Sequence, residues 1–316
     1  MAANYAVILH LGAHKTGTSV LQKYMRDRPS EMVGYRARMI SRTDTNHLIG
    51  WGSKVMEEPE MLRNAVMAAG QERMPSAVLK RIPVLRRIAG PQPRTVVVSH
   101  ENSLGRPVDT DGDSLYPFAE ARANALKTSV GMLKPRAVFY LRSQEQFLES
   151  YYLQTVHQGS TLRFRQWLET VNLDAASWVP VIEKLAAAFG DDHVVVRDFA
   201  EIKQGQNQFI ENFLRICDPS LNPSVDYGAS RNLSVSARGL EVALATNPYL
   251  ETAAERKASR VFLQANFNNS TGARPELFSE QEKSQLKQRY GAENQDLLTR
   301  FADPVSGTLD LESSRS

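Results

Sequence analysis

Leu9-His10-Leu11-Gly12-Ala13-His14-Lys15-Thr16-Gly17-Thr18-Ser19 closes an apolar run that begins at Tyr5. Seven residues without a charge, Tyr5 to Leu11, fit a strand covered on both faces, because a half-exposed strand would alternate apolar and polar side chains. Beyond Ser19, Val20, Leu21, Tyr24 and Met25 recur at helical spacing and form a stripe that can dock on a sheet. Between strand and helix lies a loop bounded by Gly12 and Gly17 and carrying Lys15, Thr16, Thr18 and Ser19. Glycines let successive backbone N–H groups converge, and the helix start adds a partial positive charge. Lysine and hydroxyls supply further donors, so the loop is built to hold an anion.

Working outward, three more short runs have the composition of buried strands: Arg94 to Val98, Arg136 to Leu141 and His193 to Arg197. Longer amphipathic runs alternate with them. Helices are predicted over 17–28, 117–131, 144–157, 175–190, 208–216, 236–246, 251–267 and 280–301. Ser143 and Gln146 have the spacing of a capping box at the start of the third. Alternating strands and helices predict an α/β fold, a three-layer sandwich around a central, mostly parallel sheet. Residues 29–93, broken by Pro59, Pro75 and Pro83 into short helical pieces, read as an insertion between the first two strands. One domain over 1–302 is expected, with a small, polar and acidic tail at 303–316.

The chain has 316 residues, 42% hydrophobic and 23% charged, enough apolar material for a core without disulfide or metal staples. Its 38 Lys and Arg against 35 Asp and Glu leave a net charge of +3, which does not advertise nucleic-acid binding. Cys217 is the single cysteine and falls at a predicted helix end, where a buried, inert thiol is expected. No run of 18 apolar residues occurs and the N-terminus lacks a basic leader, so the expected localisation is cytoplasmic.

Gly12 and Gly17 have the G-x-x-x-x-G spacing of a Walker A loop, but that pattern continues with lysine, and Thr18 stands there instead. The lysine has moved inside the loop, to Lys15. The run His14-Lys15-Thr16-Gly17-Thr18-Ser19 after a strand resembles the 5′-phosphosulfate loop of sulfotransferases that use 3′-phosphoadenosine 5′-phosphosulfate (PAPS), above all the bacterial type with its H-K-T-G-T-S/T core. The resemblance implies a P-loop NTPase-like sheet, PAPS as cosubstrate, no metal, and sulfuryl transfer to a hydroxyl or amine. It covers four patches, near residues 5–25, 94–102, 136–152 and 194–202.

Such enzymes carry an arginine at a strand end and a serine eight residues later, which together grip the 3′-phosphate. Arg142 and Ser150 match that order. Ser143-Gln144 replaces the Asp-Pro that often follows the arginine. Glu101 resembles the carboxylate placed after the second strand and is the expected base, with its neighbour His100 as alternative. The resemblance implies that Lys15 stabilises the leaving phosphate, that His14, Thr16, Gly17, Thr18 and Ser19 complete the loop, and that Arg231 belongs to a basic loop over the nucleotide. Asp198, after the fourth strand, reads as a structural cap.

The acceptor, a small molecule, lipid or carbohydrate, is expected to meet the insertion and the C-terminal helices, where His47, Trp51 and Trp178 either line a pocket or simply pack. Between Gln71 and Arg94, six basic residues face one glutamate beside an apolar helical stripe. That segment, 73–94, suits either peripheral contact with an anionic membrane or a helix covering the sheet with solvated charges. Two rival functions remain open from the residues: a metal-dependent kinase with an altered Walker loop, and a non-catalytic module that binds the desulfated nucleotide PAP or a membrane surface.

Overall fold

A computed structural model describes residues 7–34, 37–39, 46, 48–49, 95–108, 114–228, 234–270 and 272–303. Its five strands are β1 (Val7–His10), β2 (Ala37–Met39), β3 (Thr95–Ser99), β4 (Arg136–Leu141) and β5 (Val194–Asp198). They lie side by side in the order β2-β3-β1-β4-β5, and every neighbouring pair is parallel. The four predicted strands are present to within two residues at each end. β2, the fifth, lies in the insertion where only helical pieces were expected; Ala37-Arg38-Met39 carries no β-branched residue, so composition does not reveal it.

The ten helices among the described residues are α1 (Thr18–Asp27), α2 (Pro29–Gly34), α3 (Ala119–Val130), α4 (Gln144–His157), α5 (Phe164–Leu168), α6 (Val179–Phe189), α7 (Gln206–Cys217), α8 (Ala237–Thr246), α9 (Ala253–Asn266) and α10 (Glu280–Arg300). Successive strand residues point to opposite faces, so the sheet has two separate cores. Val7, Leu9, Val96, Val98, Phe139, Leu141, Val194 and Val196 face one side, where α3, α4, α6, α8 and α10 cover them. Ile8, Val97, Val138, Tyr140 and Val195 face the other, against α1 and α7. The fold is therefore α/β, with a parallel sheet between two helical layers.

Two local expectations are corrected. Ser143 is the N-cap of α4, but no capping box forms: its hydroxyl donates to Glu145 Oε1 at 2.8 Å and leaves the backbone N–H groups alone. Asp303, assigned by composition to the tail, is buried and pairs with Arg136 at 2.9 Å, both side chains being 2% exposed. Phe301 O also accepts from Val196 N–H at 2.9 Å, so the chain just after α10 lies beside β5. Cys217 closes α7 as a buried thiol whose pKa burial pushes up. Asp198 caps the turn after β5 by accepting from Ala200 N–H, as its position suggested. His47, Trp51, Arg231 and the basic segment 73–94 lie outside the described residues.

Candidate functional site at the carboxyl edge of the sheet

β1 occupies the middle of the sheet, with β3 on one side and β4 on the other. The connection from β1 runs to β2 on one side and that from its neighbour β4 to β5 on the other, and at such a switch point the crevice beyond the strand ends is the usual ligand site. The loop of residues 11–17 opens there. Leu11 N–H and Ala13 N–H donate to Val138 O and Tyr140 O at 3.0 and 3.3 Å, which lays the start of the loop along β4. The chain then turns through two left-handed residues, Lys15 at φ 66° and Gly17 at φ 78°. Glycine is required at the second, since a Cβ there would stand 2.9 Å from both Phe199 and Phe209.

The turn leaves the N–H groups of residues 15 and 17 to 19 without a protein acceptor among the described residues, while Thr16 N–H turns back toward Ala13 O and Val20 N–H bonds back to Gly17 O. Free donors converging at the start of α1 make a loop that could hold an anion. The buried hydroxyl of Thr18 also lacks a partner. Thr16 is turned inward: its hydroxyl donates to Ala13 O at 2.5 Å and pins the curl. Ser19 is exposed.

His14 is spent on shape. Its N–H donates to Tyr116 Oη at 2.8 Å, its Nδ1 lies 2.7 Å from the same oxygen, and its Nε2 lies 2.6 Å from Asn102 Oδ1. An amide oxygen can only accept, so Nε2 carries the proton and Nδ1 takes the tyrosine hydroxyl's. Burial holds the imidazole pKa below its ordinary value, against the opposing pull of Asn102 and Glu101, and holds that of Tyr116 well above. Both groups therefore stay uncharged. His10, beneath the loop, meets Ser99 Oγ at 2.9 Å, and burial pushes its pKa down to about 4.

Arg142 follows β4 directly, and its Nη1 donates to Lys15 O at 3.1 Å. Its guanidinium lies over the Phe199 ring at 5.4 Å, and its carbonyl accepts from Trp178 Nε1 at 2.8 Å. Trp178 is fully buried, so it packs and orients Arg142 rather than lining an open pocket. Partial burial lowers the pKa of Lys15, and the charges of Arg142 and Arg260 lower it further. Neither Lys15 nor Arg142 forms an ion pair among the described residues. Ser150 is half-buried on α4 and makes no hydrogen bond to Arg142.

After β3, His100 is buried and its Nδ1 accepts from Asn102 N–H at 2.8 Å. Glu101 is half-buried in the same turn. The fold thus brings together the predicted loop, Arg142 and the His100-Glu101 turn. Sequence reasoning missed Tyr116, Asn102 and Phe199, which hold that arrangement. Asn102, adjacent to Glu101, was the one within reach of pattern reading; Tyr116 and Phe199 lie in irregular stretches with no periodic signal.

Among the described residues no group of His, Cys, Asp and Glu is placed to hold a metal ion, and no helix is long and apolar enough to cross a membrane. No protein-family model and no curated protein matches the chain. Among solved structures, the crystal structure of a sulfotransferase from Alicyclobacillus acidocaldarius is similar at 14% identity and a TM-score of 0.40, covering 81% of this chain and 100% of that one. At that identity and score the likeness gives no residue a role. The fold and site define an α/β protein with a glycine-bounded loop and two basic residues, Lys15 and Arg142, at the carboxyl edge of a parallel sheet.

Proposed function

We propose that the chain is a PAPS-dependent sulfotransferase of P-loop-like architecture, moving a sulfuryl group to a hydroxyl or amine of a small-molecule, lipid or carbohydrate acceptor. The observation that carries this reading is the cradle itself: free N–H donors on residues 15 and 17–19, with an exposed lysine, Lys15, in the turn and the Arg142 guanidinium fastened to the Lys15 carbonyl. A central β1 whose loop opens a helix supports the P-loop-like assignment.

PAPS would supply the sulfuryl group and a good leaving phosphate. The N–H groups of 15 and 17–19 would hold the 5′-phosphosulfate, with Thr18 and Ser19 adding hydroxyls, while Arg142 and Ser150 would take the 3′-phosphate. Lys15 would neutralise charge on the phosphate oxygen as the sulfur–oxygen bond opens. The acceptor oxygen forms the new bond to sulfur, PAP keeps the electron pair of the old one, and the acceptor proton passes to a base. Glu101 suits that role better than His100, whose Nδ1 lone pair already accepts from Asn102 N–H and whose remaining nitrogen then carries a proton.

Calorimetry with PAP and with ADP, each with and without Mg²⁺, tests the reading. Tight PAP binding independent of Mg²⁺ is expected, and a Mg²⁺-dependent preference for ADP would replace the proposal with the kinase. Lys15→Ala should lower sulfate transfer from labelled PAPS by a factor of about 10² or more while leaving PAP binding within about tenfold. Glu101→Gln should lower turnover more than His100→Asn does.

A further inference from the structure

α4 runs past the loop, the Tyr151 ring lying 5.8 Å from that of His14, and at the end of that helix two groups remain that the proposed reaction does not use. His157 is the last residue of α4 and shares a face of that helix with Ser150, two turns earlier. Its Nε2 is shielded from solvent and has no hydrogen-bond partner. A polar atom hidden without a partner is costly, and the cost is removed when a ligand supplies one.

Arg260 comes from α9. The stem of Arg256 packs so tightly on the turn after α4 that a Cβ on Gly159 would stand 2.5 Å from its Cδ. Arg260 follows Arg256 by one turn on the same face, and Leu263, the one buried residue of α9, continues that face. Val261 and Phe262 point to solvent instead. Arg260 makes no ion pair among the described residues, yet its charge acts on both Lys15 and His157. Burial, Lys15 and Arg260 together push the His157 pKa down to about 4, so its imidazole is uncharged, and no carboxylate bears on it among the described residues. Glu149 and Glu145, on the same helix as His157, act on Arg142.

We propose that His157 and Arg260 form an acceptor subsite beside the loop, taking an acceptor that carries an oxyanion (carboxylate, phosphate or sulfate) besides the group to be sulfated. The proposal rests on the sulfotransferase reading for the word acceptor, and on the two side chains alone for the anion. Arg260 supplies the charge and His157 Nε2 a shielded hydrogen-bonding atom. Like charges at Lys15, Arg142 and Arg260 repel one another in the free protein, so an anion on each side of the loop relieves strain that one bound nucleotide would relieve only in part.

Inorganic sulfate titrated into PAP-saturated protein tests this. One sulfate site is expected on the loaded protein, with affinity weakened about tenfold or more by Arg260→Gln and by His157→Phe, while PAP affinity stays within about twofold. Unchanged thermal unfolding of both variants shows that they are folded. Loss of PAP affinity rather than sulfate affinity in Arg260→Gln would assign the arginine to the nucleotide and overturn the subsite, as would sulfate binding indifferent to both substitutions. If PAP does not bind the native chain, the sulfotransferase reading falls, and the anion subsite is judged by the same titration in a Lys15→Ala, Arg142→Ala background. There an Arg260-dependent sulfate site sustains it, and none refutes it.

Discussion

Gly17 shows how much one residue can control. It takes a positive φ that side chains resist, and two aromatic rings wait where a Cβ would go. Gly17→Ala should therefore cost about 2 kcal/mol or more of stability and abolish anion binding, because the N–H groups on either side would no longer converge; chemical denaturation and PAP titration would read the two effects. His10 makes a second prediction, of pH dependence. Unfolded, it titrates near its ordinary 6.5, whereas folded it titrates at about 4. Between those values the unfolded chain binds a proton that the folded chain refuses. Stability is thus complete above the unfolded pKa and falls as pH drops through the window, by on the order of 3 kcal/mol at its lower end. Urea unfolding at pH 7 and pH 4.5 should show the loss, and His10→Gln should shrink it. The functional loop was legible at this scale because its chemistry is contiguous: glycines, lysine and hydroxyls follow one another. What orients it was not, since Tyr116 stands 102 residues from His14 and meets it only in three dimensions.

At the scale of elements, α8 and α9 are joined by a close approach. Ser236 N–H and its hydroxyl both donate to Phe267 O, at 2.8 and 3.0 Å, and Gly239 lies under the same carbonyl. A Cβ at Gly239 would stand 2.6 Å from that oxygen. Gly239→Ala should lower stability by about 2 kcal/mol and loosen α9, a prediction for thermal unfolding; Ser236→Ala, which removes the cap and the hydroxyl's bond to Phe267 O but leaves the backbone one, should cost about 1 kcal/mol. Helices of this kind were readable in the sequence because apolar residues repeat at 3.6 and end at caps. α10 begins at Glu280 after Ser279, whose capping box with Glu282 does form. The box foreseen at Ser143 fails for a physical reason: Glu145, buried near the strand end, claims the hydroxyl first. Local pattern gives the position of a helix start more dependably than the partner of its capping atom.

At the scale of the whole molecule, the four long strands were visible because a parallel sheet covered on both faces needs unbroken apolar runs, and each run recurs as a strand. Their order was not visible. Pairing of β1 with both β3 and β4 depends on crossovers whose direction no local residue encodes. Nor did composition reveal that Asp303 belongs to the body, because a lone aspartate in a polar stretch gives no hint of an arginine 167 residues earlier. Breaking that buried pair should be severe: Asp303→Asn is expected to lower stability by about 3 kcal/mol or more by equilibrium denaturation, since Arg136 would keep its charge and lose the carboxylate.

The same pair sets an order of events during synthesis. Arg136 opens β4, which lies between β1 and β5 in the sheet, but its carboxylate partner is among the last described residues to leave the ribosome. A nascent chain stopped short of residue 303 must bury that guanidinium without it, so the sheet closes fully only when the end of the body has emerged. Completion of the sheet's own strands at Asp198 is thus not enough, and the fold becomes secure only once Asp303 is available to Arg136.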